Sequence, residues 1–192
     1  MVELNSENWN RRYQNNDTGW DVGFVTTPIK DYVNQLENKS LKILIPGCGN
    51  AYEAEYLHKQ GFTNVYVIDL AREALNNLQK RCPDLREEQL ICGNFFDHSN
   101  NYDLIIEQTF FCAIDPKLRQ GYVKKMKELL KPKGKLVGLL FNAPLNTDRP
   151  PFGGDKKEYL GLFKTYFNSV KINHAFNSIP SRHGRELFIM IA

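Results

Sequence analysis

A chain of 192 residues, 42% hydrophobic and 24% charged, is long enough for one domain with a substantial core and short for two. Its formal net charge of +3 is weak, and Lys and Arg alternate with Asp and Glu along the chain, which argues against the basic stripe of a nucleic-acid binder. No apolar stretch approaches the roughly 20 residues of a membrane span, and the start Met1-Val2-Glu3-Leu4-Asn5 lacks the basic-then-apolar order of a signal peptide.

In chain order, Ser6 to Tyr13 reads as a short polar helix studded with aromatics. Thr27-Pro28 supplies a cap and first-turn proline for a helix from Ile29 to about Leu36. Leu41 to Pro46 is a nearly continuous apolar run, the pattern of a strand buried on both faces. It breaks into Gly47-Cys48-Gly49, followed by a helix from Ala51 to Gln60. A strand from Asn64 to Ile68 ends at Asp69, and an amphipathic helix from Ala71 to Arg81 stops before Pro83. Glu88 to Cys92 and Tyr102 to Glu107 give two more strands. Asp115-Pro116 opens a long helix to Leu130, and the turn Lys131-Pro132-Lys133-Gly134 leads to a strand from Lys135 to Phe141. After a Pro- and Gly-rich loop, 142–155, come a helix from Lys156 to Phe167 and two strands, Val170 to Phe176 and Glu186 to Ile191.

Alternating strand and helix predicts an α/β domain, with a parallel sheet covered on both faces by right-handed crossovers. The last two strands have no room for a helix between them, so they should pair antiparallel at one edge. The loop 142–155 reads as a flexible cover over a site.

Ligands of such a sheet bind at the carboxyl ends of its strands. Three turns end there. Gly47 and Gly49 let the backbone turn and approach a ligand closely. Asp69, twenty residues after Gly49, can accept both ribose hydroxyls of an adenosine or cap the following helix. Gly93-Asn94-Phe95-Phe96 can set an amide and an aromatic face against adenine, or Phe95 and Phe96 can be core. Together these turns point to an adenosine-containing cofactor. A dinucleotide site wants a third glycine, where Tyr52 stands here, and Glu53 beside it repels phosphate. A sulfonium cofactor prefers carboxylates and aromatic faces, which favours S-adenosylmethionine over NAD.

The stretches PGCGNAYEAEYLHKQGF…VIDLAREAL and YDLIIEQTFFCAIDPKLRQGYVKKMKELLKPKGKL resemble the thiopurine methyltransferase superfamily. Within it they are most similar to the plant and microbial thiol/halide methyltransferase branch. Trp9, Tyr13, Trp20-Asp21-x-Gly23 with Thr27-Pro28, then Phe110 to Ile114, Pro150-Pro151-Phe152 and Ser178 to Gly184 agree with that branch. The resemblance implies a Rossmann-like, mostly parallel seven-stranded sheet with an antiparallel last strand. It also implies one methyltransferase domain, in which 1–37 forms a helical lid and 41–192 the core. Trp9, Tyr13 and Trp20 would cover the site, although both tryptophans could simply pin the N-terminal segment to the core. The glycine loop, Asp69 and Leu70 would hold the methionine and ribose parts. Asn94, Phe95 and Gln108 would lie at the adenine and sulfonium. Trp20, Gln108 and Arg182 are the residues expected beside the reaction. The chain departs from the branch at Tyr13, Glu53 and Glu107-Gln108, and the last departure leaves open a cofactor-binding regulator without catalysis.

The expected acceptor is a small, soft nucleophile: a thiol, hydrosulfide, halide, thiocyanate or thiopurine-like aromatic thiol. Such anions need no strong general base, in keeping with the lack of G-x-S-x-G or H-E-x-x-H. His58, His98, His174 and His183 show no ligand spacing, so no metal is expected. Arg182, His183 and Arg185 could draw in an anion. Cys48, Cys82, Cys92 and Cys112 form no C-x-x-C pair, which suits a reduced, cytoplasmic protein. Nothing demands a partner chain, nucleic acid or membrane, and a monomer is the simplest expectation.

Overall fold

The computed structural model describes residues 4–192; the signal-peptide reading, which rests on the first residues, lies partly outside them. Two helices, α1 (Ser6–Gln14) and α2 (Thr27–Asn34), precede β1 (Ile43–Pro46), α3 (Tyr52–Lys59), β2 (Val65–Asp69) and α4 (Arg72–Arg81). Then come β3 (Leu90–Cys92), β4 (Tyr102–Gln108), α5 (Arg119–Leu129), β5 (Leu130–Phe141), α6 (Lys156–Lys164), β6 (Val170–His174) and β7 (Glu186–Ile191). The strands form one seven-stranded sheet in the order β3-β2-β1-β4-β5-β7-β6. Neighbours from β3 to β5 pair parallel. β7 runs antiparallel to both β5 and β6, so the last strand of the chain is inserted beside β5 and the sixth forms the edge.

Alternation along the central strands divides the core into two layers. Ile43 and Ile45 of β1, Leu104 and Ile106 of β4, and Val137 and Leu139 of β5 face one layer, with α2, α3 and α4. Leu44, Ile105, Leu136 and Leu140 face the other, with α5 and α6. Because both faces are covered, the strands are apolar at nearly every position, which is why they were legible as continuous runs.

Several expected boundaries shift, among them the start of β3 and the ends of α6 and β6, and two have a visible cause. The cap of α2 is Thr26, not Thr27, and its hydroxyl does not serve the helix. It donates instead to Gln108 Oε1 at 2.9 Å, while Pro28 keeps its place in the first turn. The Lys131-Pro132-Lys133-Gly134 turn lies within β5 rather than before it. Tyr102 pairs with Leu130, and Leu104 with Lys135, so the intervening residues loop out as a bulge. Lys131 Nζ, 2.9 Å from Asp103 Oδ2, ties the bulge to β4.

Candidate active site

The carboxyl ends of β1, β2, β3 and β4 open into one cleft of about 1290 Å³. At its floor the glycine turn reverses the chain after β1. Gly47 has φ +54°, and an added Cβ would lie 2.1 Å from the ring of Phe110. Gly49 has φ +53°, and its Cβ would lie 2.7 Å from the hydroxyl of Tyr13. The turn therefore needs glycine for its conformation and for the aromatic rings packed on it.

Asp69 closes β2. Its Oδ2 accepts the N–H of Gly49 and its Oδ1 that of Ala71, both at 2.8 Å. The residue thus joins the glycine turn to the start of α4, and its carboxylate still lines the cleft. Burial raises the carboxyl, and the N–H groups of Ala71 and Gly49 act in the opposite direction. Asn94 caps a short 3-10 turn by accepting the N–H of Phe96. Phe95 is at once core and wall: it is buried against Phe110 and Tyr122 at centroid distances of 5.2 and 5.7 Å, and it lines the cleft.

Three aromatic rings, Trp9, Tyr13 and Trp20, line the cleft beside this floor. Trp20 meets Trp9 and Tyr13 edge-on, at 5.6 and 5.8 Å between centroids. The Arg12 guanidinium stands 4.3 Å from the centre of the Trp20 ring. Tyr13 is buried, and that burial, reinforced by Asp69, raises its hydroxyl so that it stays a phenol. Three tethers hold the segment that carries and follows Trp20. Arg182 Nη2 donates to Trp20 O at 2.8 Å, Asn50 Nδ2 donates to Asp21 Oδ2, and Thr26 bonds Gln108.

Beside the glycine turn lies a smaller chamber of about 50 Å³, sharing Trp20, Gly47, Thr109 and Arg182 with the main cleft. Gly49, Gln108 and Glu53 line this chamber and not the main cleft. Burial pushes the Glu53 carboxyl up to about 7, with Arg182 lowering it and Asp21 raising it. Two buried donors in this region, Gln108 Nε2 and Arg182 Nη1, have no hydrogen-bond partner among the described residues. Arg182 Nη1 lies 3.5 Å from Glu186 Oε1, a contact too long to satisfy it.

The residues expected at the site therefore gather at one end of the sheet. Trp9, Tyr13, Trp20, Gly47, Asp69, Leu70, Asn94, Phe95 and Arg182 line the cleft, and Gly49 and Gln108 the adjoining chamber. Of the basic trio, Arg182 is buried and Arg185 lines the cleft, whereas His183 is exposed and lines neither space. Glu107 lines neither space. It is wholly buried, with Oε1 accepting the N–H groups of Phe110 and Phe111 at 2.8 and 2.9 Å and Oε2 the hydroxyl of Tyr122. The opposite wall comes from two connections: Ile114 and Leu118 of one and Leu145 and Phe152 of the other give it apolar surface, with Asp115, Lys117, Thr147 and Asp148 beside them. Sequence reasoning missed Arg12, Thr26 and the covering role of Phe110. Their partners are remote in sequence or lie across a loop, so no spacing announces them.

A mostly parallel sheet with a glycine turn after its first strand and an acid at the end of its second is a Rossmann-like framework. A TehB-like S-adenosylmethionine-dependent methyltransferase from Corynebacterium glutamicum superposes with a TM-score of 0.70 at 18% identity, over 97% of each chain. The chain belongs to the thiopurine S-methyltransferase family, whose profile it matches over residues 4–186. It is a methyltransferase. It is 29% identical to probable thiol methyltransferase 2 of Arabidopsis thaliana, over 97% of this chain and 84% of that protein. Identity to thiocyanate methyltransferase 1 of the same plant is 28%, over 93% of this chain and 81% of that protein.

Proposed function

We propose that this chain moves a methyl group from S-adenosylmethionine to a small, soft nucleophile, such as a thiol, hydrosulfide, thiocyanate, halide or thiopurine-like aromatic thiol. The observation that carries the reading is Asp69, its carboxylate fixed by two backbone N–H groups between the glycine turn and the aromatic rings. When bound, the cofactor supplies a methyl group on a positively charged sulfur.

The side chains present suit that molecule at each of its parts. Each Asp69 oxygen keeps a lone pair for a ribose hydroxyl. Leu70, Asn94 and Phe95 offer an apolar and amide wall for adenine. The unpartnered donors Gln108 Nε2 and Arg182 Nη1 suit a carboxylate, and Glu53, in the same chamber, suits an ammonium. A chamber lined by both signs fits the zwitterionic end of an amino acid better than a lone anion, which Glu53 and Asp21 would repel. Trp9, Tyr13 and Trp20 turn aromatic surface toward the cleft, favourable to a cationic sulfur. Closed over the floor, they exclude water and orient the nucleophile opposite the leaving sulfur, an effect able to contribute several kcal/mol. The apolar surface of the opposite wall lets a soft, weakly hydrated nucleophile reach that position. Glu107, bonded behind the wall, gives no support to a non-catalytic reading.

The test is release of S-adenosylhomocysteine by purified protein given S-adenosylmethionine and hydrosulfide, thiocyanate, iodide, thiophenol or a thiopurine. Turnover with at least one acceptor, lost in Asp69→Ala, is expected. Silence across the panel with cofactor binding intact would overturn the soft-nucleophile reading.

A further inference from the structure

The acceptor side of the cleft depends on residues 142–155, which carry no helix or strand and only two isolated bridges, Ala143 with Gly154 and Asn146 with Phe152. Leu145, Pro150, Pro151 and Phe152 of this stretch line the cleft. A segment with so little regular pairing must be held by specific contacts if it is to present a defined wall.

Those contacts converge on Phe152 and Gly153. The Phe152 N–H donates to Cys112 O at 2.7 Å, joining this wall to the connection after β4. Arg119 Nη2 donates to Gly153 O at 2.7 Å, and Nη1 to Glu158 Oε1 of α6 at 2.6 Å. The guanidinium also stands 4.8 Å from the ring centre of Phe111. Arg119 is the first residue of α5 and only 4% exposed, yet it does not line the cleft. Gly153 is itself confined: a Cβ there would lie 2.4 Å from Leu145 N and 2.5 Å from Ala143 O. One planar fork thus bridges α5, α6 and the wall, a geometry that a lysine cannot reproduce.

We propose that Arg119 is a positioning residue that sets the affinity for the methyl acceptor by fixing the 142–155 wall through Gly153 O, without touching acceptor or cofactor. The assignment rests on the methyl-transfer reading above for what the wall binds, but not for the anchoring itself.

The test compares wild type, Arg119→Lys, Glu158→Gln and Gly153→Ala, using thiocyanate and thiophenol as acceptors and S-adenosylhomocysteine for calorimetric binding. For Arg119→Lys we expect acceptor KM to rise about tenfold, with kcat and S-adenosylhomocysteine Kd within about threefold of wild type. Glu158→Gln, which keeps the Gly153 contact, should move KM by less than about threefold. Gly153→Ala, which disturbs the wall without altering α5, should reproduce the split between KM and Kd. Combined with Arg119→Lys it should add little, since both loosen the same wall. Hydrogen exchange reads the anchoring independently of turnover: Arg119→Lys should speed exchange in 142–155 and leave the glycine turn unchanged. If wild type turns over no acceptor of the panel above, the soft-nucleophile reading fails while exchange still decides the anchoring. Unchanged exchange in 142–155, or a Kd loss parallel to the KM rise, would overturn the proposal.

Discussion

Each oxygen of Asp69 already accepts one backbone N–H, so a ligand hydroxyl meets an acceptor held in place beforehand. Asp69→Ala should weaken S-adenosylhomocysteine binding at least about tenfold by calorimetry, since a charge-assisted hydrogen bond contributes roughly 1.5–3 kcal/mol. Unchanged affinity would remove Asp69 from the site. Glu107 and Glu53 make a second case. Burial raises both carboxyls from 4.5 to about 7. Between those values the folded chain holds protons that the unfolded chain has lost. The stability each group contributes is therefore full below about 4.5 and is lost as pH rises through about 7. Glutamine at 107 can still accept from Phe110 and Phe111, and its amide can donate to Tyr122. Glu107→Gln should therefore lose less melting temperature than wild type across that window. Parallel curves for the two proteins would contradict the raised carboxyl.

The cap of α4 comes from another element. Its own cap residue, Ala71, has no side-chain acceptor, and the N–H of Glu73 is taken at 2.9 Å by Asn10 Oδ1 of α1. α1 is thus a cap as well as part of the proposed lid. Asn10→Ala should cost about 1 kcal/mol, read as a fall in melting temperature of about 2–4 °C for a chain of this size, and should weaken S-adenosylhomocysteine binding. A stability loss with unchanged binding would separate the cap from the lid. Regular elements of this kind were legible in the sequence because sheet burial leaves continuous apolar runs and helices leave amphipathic ones. The β5 bulge was not, because Lys-Pro-Lys-Gly turns the chain equally well between elements or within a ladder; only the pairing of Tyr102 with Leu130 decides. The insertion of β7 between β5 and β6 was hidden for the same reason: sequence reveals that two strands are antiparallel, not which of them reaches the interior.

At the scale of the whole molecule, the gathering of the glycine turn, Asp69 and Asn94 at one end of the sheet was readable because these residues follow strand ends, at positions fixed by the sheet. The roles of Gln108, Glu107 and Arg119 were not, because each depends on a partner dozens of residues away or on a turn of unknown direction. If the floor is preformed, a saturating ligand should stabilise the entire domain: at a hundred times its Kd, S-adenosylhomocysteine should add about 2.7 kcal/mol. That corresponds to a rise of roughly 5–11 °C in melting temperature, and its absence would indicate a floor that forms only on binding. The cleft is also built from two unlike materials. One side is the ends of hydrogen-bonded strands, where an inserted residue would shift a register and turn a side chain to the wrong face. The other is two irregular connections fastened at a few points, where insertions and deletions leave the sheet intact. On the proposed reading the two sides are free to diverge at different rates over evolutionary time, so a lineage could change the nucleophile it methylates by rewriting a loop while inheriting its methyl donor unaltered.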